Sequence, residues 1–179
     1  MSKAAPNAPD PLSVDPSSGP LTLALPDLQA TERLATGLAG ALEPGFIVFL
    51  SGDLGAGKTT FTRALLRALG YAGRVKSPTF TLLESYELSR FQLYHFDFYR
   101  LSSERDWLDA GFDDLLGGTG VAVIEWPERA AASLPPPDLR LRLDFDAARG
   151  EDARVATLEA GSTRGMACLR RLRAASAAC

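Results

Sequence analysis

Gly52-Asp53-Leu54-Gly55-Ala56-Gly57-Lys58-Thr59 constrains this chain more than any other stretch. Its spacing is G-x-x-x-x-G-K-[ST]. Glycines at such positions let a tight loop close around a polyphosphate with its backbone N–H groups pointing inward. The lysine ammonium reaches the β- and γ-phosphates, and the next hydroxyl can ligate Mg²⁺. The flanks are those the loop needs. Phe46-Ile47-Val48-Phe49-Leu50 is a short apolar run rich in β-formers and reads as a buried strand. Phe61, Leu65, Leu66 and Leu69 recur at helical spacing, and Gly70 stops the run. Strand, loop and helix in this order put a helix N-terminus, with its partial positive charge, against bound phosphates.

Elsewhere the pattern alternates between helix and strand. Leu21 to Leu25 reads as an edge strand, and Asp27 caps a helix that runs to about Ala41. Gly70 to Pro78 reads as a loop. Thr79 to Leu88 and Gln92 to Tyr99 read as strands of a hairpin. Ser102 or Ser103 caps a short helix that Gly111 ends. Val121 to Ile124 is wholly apolar and reads as a central strand. Leu139 to Leu143 alternates strictly, as a half-exposed antiparallel strand does, and Arg154 to Leu158 pairs with it across a turn. Gly165 to Ala174 reads as a terminal helix. The expected class is α/β: a single-domain P-loop NTPase fold whose central parallel strands are extended by antiparallel ones and flanked by helices. The expected division is a disordered arm over 1–20, the nucleotide domain over 21–160 and a helical tail over 161–179.

Composition matters mainly for what it removes. With 179 residues and a net charge of −3, the chain is long enough for one real core and shows no basic surplus for binding DNA. Cys168 and Cys179 are the only cysteines and His95 the only histidine, so neither a disulfide framework nor a Cys/His zinc site is built in. No apolar run approaches a membrane span, and the Pro- and Ser-rich start lacks a signal-peptide core. A cytoplasmic protein is expected.

Hydrolysis or transfer requires more than a phosphate loop: a carboxylate to organise Mg²⁺ and a group to position the nucleophile. Glu125 directly follows the apolar strand, at the end that faces the same crevice as the loop. It is the candidate Mg²⁺-associated acid, against the alternative of a solvated strand end. Trp126-Pro127 after it places a large aromatic where it would cover the crevice. Asp97, between Phe96 and Phe98, shares a strand face with His95 and Tyr99 and is either outward-facing or functional. Thr79 follows Ser77-Pro78 where some NTPases place a γ-phosphate-sensing threonine. Lys76 beside it neutralises phosphate or is plain surface charge. Asn7 is the only asparagine, which removes the N-K-x-D guanine signature. Neither Gln29 nor Gln92 lies near the loop, so no Ras-like water-positioning glutamine is evident.

Gly52 to Thr60, Val75 to Leu82 (V-K-S-P-T-F-T-L), Tyr94 to Leu101 (Y-H-F-D-F-Y-R-L) and Ile124 to Glu128 (I-E-W-P-E) together resemble the TsaE (YjeE) family. These are small bacterial ATPases of tRNA threonylcarbamoyladenosine biosynthesis, and the resemblance spans about Leu21 to Leu158. It implies ATP and Mg²⁺ as ligands and TsaD and TsaB as partners, with tRNA reached indirectly and TsaD carrying the transfer. Residue by residue, it implies that Gly55, Ala56, Gly57, Lys58, Thr59 and Thr60 cradle the phosphates. Thr59 and Glu125 serve Mg²⁺, and Asp97, Glu125 and Lys58 serve hydrolysis. Thr79 belongs to a switch-like loop, and Trp126 lies near the nucleotide. Pro26 and Leu28 help form the adenine pocket, and Arg149 in the last hairpin approaches the nucleotide. A small-molecule kinase using the same loop is the alternative, but no arginine-bearing lid is evident.

Overall fold

The computed structural model describes residues 19–177. The arm expected over 1–20 therefore lies, up to residue 18, outside the described residues, as does Cys179. Seven strands form one sheet in the order β1-β7-β6-β2-β5-β4-β3. They are β1 (Leu21–Leu25), β2 (Ile47–Ser51), β3 (Leu83–Glu87), β4 (Gln92–Asp97), β5 (Val121–Glu125), β6 (Leu139–Phe145) and β7 (Arg154–Ala160). The helices are α1 (Leu28–Ala39), α2 (Lys58–Ala68), α3 (Glu104–Asp109) and α4 (Thr163–Ala177). β6, β2, β5 and β4 run parallel, while β3 is antiparallel to β4 and β7 and β1 extend the other edge antiparallel.

Period-two side-chain alternation sorts each strand between two layers. Val48, Leu50, Leu93, Val121 and Val123 face a core shared with Leu34 and Leu38 of α1, Phe61 and Leu65 of α2, and Leu169 and Leu172 of α4. Ile47, Phe96, Ala122 and Ile124 face a smaller core with Phe98, Leu101 and the fully buried Trp107 of α3. β5 is covered on both faces, and all five of its residues are buried. That is why it lacks alternation in the sequence. β6 is covered on one face only. Leu139, Leu141 and Leu143 are buried, while Arg140 and Arg142 are exposed.

α1 opens where Asp27 Oδ1 accepts from Ala30 N at 2.8 Å, a side-chain N-cap that satisfies one of the helix's unpaired N–H groups. α3 has the full capping box, with Ser103 and Asp106 exchanging hydrogen bonds. Asp138, 5% exposed, staples three elements. Its carboxylate accepts from Ile47 N at the start of β2, Ser162 Oγ before α4, and Arg164 Nη2 within α4.

Two expectations are corrected. Thr79 to Leu88 is not strand throughout: Thr81 N and Leu82 N both donate to Pro78 O, and Leu82 has φ 63°. The proline turn captures the backbone, so β3 starts only at Leu83. β6 is antiparallel to β7 but parallel to β2. Alternation reports which face is buried and carries no information about neighbour direction. No helix among the described residues is long and apolar enough to cross a membrane.

Candidate nucleotide-binding site

The loop between β2 and α2 begins with Gly52, whose φ is 136°. A Cβ there would lie 2.2 Å from Leu143 O, so only glycine lets the loop pass β6 this closely. Gly57, with φ 105°, starts α2 without a side-chain cap. The first N–H groups of α2 are thus left for a ligand rather than for the protein's own side chains. Thr62 and the apolar residues Phe61, Leu65 and Leu66 are fully buried and anchor the helix behind the loop.

Lys58 is 5% exposed, and its Nζ donates to Gly52 O at 2.7 Å and Asp53 O at 2.9 Å. The Trp126 ring lies over the ammonium, 4.0 Å to the centroid, and packs against Tyr99. Burial lowers the Lys58 pKa from its ordinary value, and the nearby Glu125 and Asp97 carboxylates oppose that shift without cancelling it. Trp126 holds this position with φ 57°, a left-handed conformation rare for a bulky residue.

Parallel register brings the two acids together. Asp97 ends β4, Glu125 ends β5, and they are direct neighbours, with Leu50 of β2 on the other side of Glu125. Both acids are almost fully buried. Glu125 Oε1 accepts from Thr59 Oγ1 at 3.0 Å and contacts His95 Nε2 at 2.8 Å. Asp97 Oδ2 accepts from Thr79 Oγ1 at 2.6 Å, and Oδ1 accepts from Tyr99 N at 2.9 Å. The outward-facing alternative for Asp97 is thereby removed.

Two crevices flank the loop. The first, about 470 Å³, is lined by Leu54, Gly55, Gly57, Lys58, Thr59, Thr60, Ser77, Thr79, Asp97, Tyr99, Arg100, Glu125 and Trp126. The second, about 400 Å³, is lined by Asp27, Leu28, Thr31, Gly55, Ala56, Gly57, Thr60, Leu143, Asp152 and Arg154. They share Gly55, Gly57 and Thr60, so an elongated ligand can lie across the loop with its charged end among the lysine and carboxylates. A larger groove of about 680 Å³ between β1, α1 and α4 is mainly apolar and contains none of this chemistry. Size therefore does not choose the site.

The donor set suits a hard cation. Thr59, Glu125 and Asp97 offer oxygen only, and no group of three His, Cys, Asp or Glu side chains among the described residues could hold a metal unaided. That is the pattern for Mg²⁺, which takes one or two protein ligands and completes its octahedron with phosphate and water.

Most residues anticipated from the sequence line these crevices. Pro26 is exposed and lines neither; Leu28, two residues on, lines the second. Arg149 pairs with Asp146 in the β6–β7 turn and lines neither crevice. Arg154 instead reaches the loop: Nε donates to Ala56 O at 3.1 Å and Nη2 to Gly55 O at 3.3 Å, over the Phe145 ring. The turn captures Arg149 locally, while Arg154 projects from a strand. The overlooked signal is parity, for Arg154 shares a face with the buried Ala156 and Leu158. His95, on the same strand face as Asp97, contacts Glu125, a pairing no local pattern in the sequence signals.

A glycine-rich loop at the C-terminal ends of central parallel strands, with an acid bonded to the loop threonine, defines a P-loop NTPase fold. The comparisons then identify the branch. A family model described as "Threonylcarbamoyl adenosine biosynthesis protein TsaE" matches residues 25–155, and the chain belongs to the TsaE family. The tRNA threonylcarbamoyladenosine biosynthesis protein TsaE of Treponema pallidum is 49% identical over 107 residues, 60% of this chain and 78% of that protein. The Haemophilus influenzae protein of the same name is 42% identical over 103 residues, 58% of this chain and 65% of its own length. The Bacillus subtilis one is 37% identical over 136 residues, 76% of this chain and 83% of that protein. A crystal structure of YdiB from Bacillus subtilis superposes with a TM-score of 0.75 at 30% identity, covering 88% of this chain and 97% of that one.

Proposed function

We propose that this protein binds ATP with Mg²⁺ across its phosphate loop and hydrolyses it in support of tRNA threonylcarbamoyladenosine formation, working with TsaD and TsaB. The observation that carries the reading is the Thr59 hydroxyl 3.0 Å from the Glu125 carboxylate, beside the buried Lys58. It joins the loop to an acid on a neighbouring strand, the arrangement that P-loop NTPases use to hold their metal.

When bound, Mg²⁺ neutralises charge developing on the β- and γ-phosphate oxygens. Thr59 and Glu125 would hold it. Lys58 supplies a cation whose hydration burial has already removed, so it acts on phosphate more strongly than a surface lysine. Asp97 is fixed on both oxygens, by Thr79 and by the Tyr99 N–H, and lines the crevice as the group that orients water and accepts its proton. Trp126 and Tyr99 pack against each other at the same end of the crevice. Water is the acceptor in this reading, with Ser77, Tyr99 and Arg100 as further polar groups along the crevice.

The test is ATP hydrolysis with and without purified TsaD and TsaB, with Asp97→Ala and Glu125→Ala as controls. Turnover that rises with the partners and is lost in both variants supports the reading. Turnover indifferent to the partners but raised by a single metabolite would replace it with a small-molecule kinase.

A further inference from the structure

We propose that His95 is a positioning residue that holds the Glu125 carboxylate in register with Thr59 for Mg²⁺-bound nucleotide. The inference rests on the ATP–Mg²⁺ reading above and gives a role to a buried group that reading leaves unused. His95 is 0% exposed. It stands two residues before Asp97 on β4 and is paired with Val123, two residues before Glu125 on β5. Equal parity on adjacent parallel strands directs the two side chains to the same face of the sheet.

The contact joins His95 Nε2 to Glu125 Oε1 at 2.8 Å, the same oxygen that takes the Thr59 hydroxyl at 3.0 Å. A carboxylate can only accept, so Nε2 carries the proton and donates. Both donors fall on one oxygen, which leaves Oε2 to serve the crevice that Glu125 lines. Nδ1 finds no partner among the described residues. That orphan atom argues against packing as the residue's purpose. A leucine would fill the same space without burying an unpaired ring nitrogen. The imidazole is explained by what its other nitrogen does. A hydrogen bond to a metal-associated carboxylate restricts its rotamers and fixes which oxygen faces the ion.

The experiment measures binding of a non-hydrolysable ATP analogue by calorimetry, across a Mg²⁺ titration and in EDTA. His95→Leu fills the space with an apolar side chain and removes the donor. His95→Gln carries an amide nitrogen that reaches about as far as Nε2. His95→Leu is expected to weaken the Mg²⁺-dependent part of the affinity about tenfold. Affinity in EDTA stays within about twofold, and His95→Gln restores most of the loss. In a Glu125→Gln background, His95→Leu adds no more than about a twofold loss, because its effect passes through Glu125. The proposal is overturned if His95→Leu keeps the wild-type Mg²⁺ dependence, or loses affinity equally with and without Mg²⁺. It is also overturned if His95→Gln is as impaired as His95→Leu. Should the leucine variant fail to fold, His95→Asn, whose amide stops at the Nδ1 position, takes its place in the same comparison. A wild-type protein whose nucleotide affinity ignores Mg²⁺ would bring down the ATP–Mg²⁺ reading itself, and the role of His95 with it.

Discussion

Two hydrogen-bond donors meet at one oxygen of Glu125, and they have different tasks. Thr59 belongs to the loop and His95 to the core, so removing the hydroxyl should cost chemistry far more than stability. Thr59→Val leaves Glu125 with its histidine and is expected to cost about 1 kcal/mol in unfolding free energy. ATP turnover should fall about 100-fold. Parallel denaturant titration and turnover assays separate the two, and a variant that loses both in proportion would mean the threonine is chiefly structural. The arginines of the last hairpin offer a second contrast. Arg154 reaches the carbonyls of Ala56 and Gly55 and lines the second crevice, whereas Arg149 is tied to Asp146. Arg154→Ala is expected to weaken nucleotide binding about tenfold through the loss of its charge-assisted contacts with two loop carbonyls. Arg149→Ala should stay within about twofold. Equilibrium binding of a fluorescent ATP analogue checks both, and the reverse ranking would restore Arg149 to the site.

The element most directly coupled to the site is the turn over residues 77–82. Its short side-chain tie to the acids is Thr79 Oγ1 to Asp97 Oδ2, and Ser77 Oγ adds a longer contact at 3.5 Å. The turn also holds Leu82 in a left-handed conformation, from which Leu82 O accepts the Asp97 N–H. Thr79→Val should therefore loosen the turn while leaving the sheet intact. Amide exchange over 77–82 is expected to rise at least about tenfold, with β2, β5 and β6 unchanged. Equal loss of protection in the central strands would show the turn to be part of the global folding unit. At α1, the cap is a separable contribution. Asp27→Ala is expected to cost about 1 kcal/mol, read from a denaturant midpoint at unchanged slope.

Across the whole molecule, Asp138, the residue just before β6, ties the starts of β2 and α4 to that strand. Without the carboxylate the buried Ile47 N–H loses its partner, whereas Arg164, 43% exposed, can turn to water. Asp138→Ala is expected to cost about 2–3 kcal/mol, more than Thr59→Val at the loop. A loss under about 1 kcal/mol by denaturant unfolding would mean that the Ile47 N–H also finds solvent at no cost. α4 also brings Cys168 into the main core, where burial pushes its thiol up to about 11. The folded-state value is raised, so the stability it contributes is complete below the unfolded thiol's value of about 8.5 and falls as pH climbs towards 11. In a Cys179→Ser background, Cys168 should label only as fast as the protein unfolds, and the alkaline loss of stability over that window should shrink in Cys168→Ala. Fast labelling of the native state at pH 8 would show α4 to open on its own.

The loop was legible in the sequence because its geometry is local. Glycines set the turn, and a strand and helix within a few residues on either side orient it. Glu125 was legible for a related reason, since an acid that ends a fully apolar strand sits at the rim of the sheet. The tertiary structure alone decided which residues meet across long stretches of chain. Thr59 and Glu125 are 66 residues apart, and His95 and Glu125 are 30 apart. Periodicity reports that a face is buried but not what lies against it, so it left Asp97 undecided, gave β6 the wrong company on one side and passed over Arg154. Those outcomes depend on strand order and register, which the chain specifies only through the packing of its whole core.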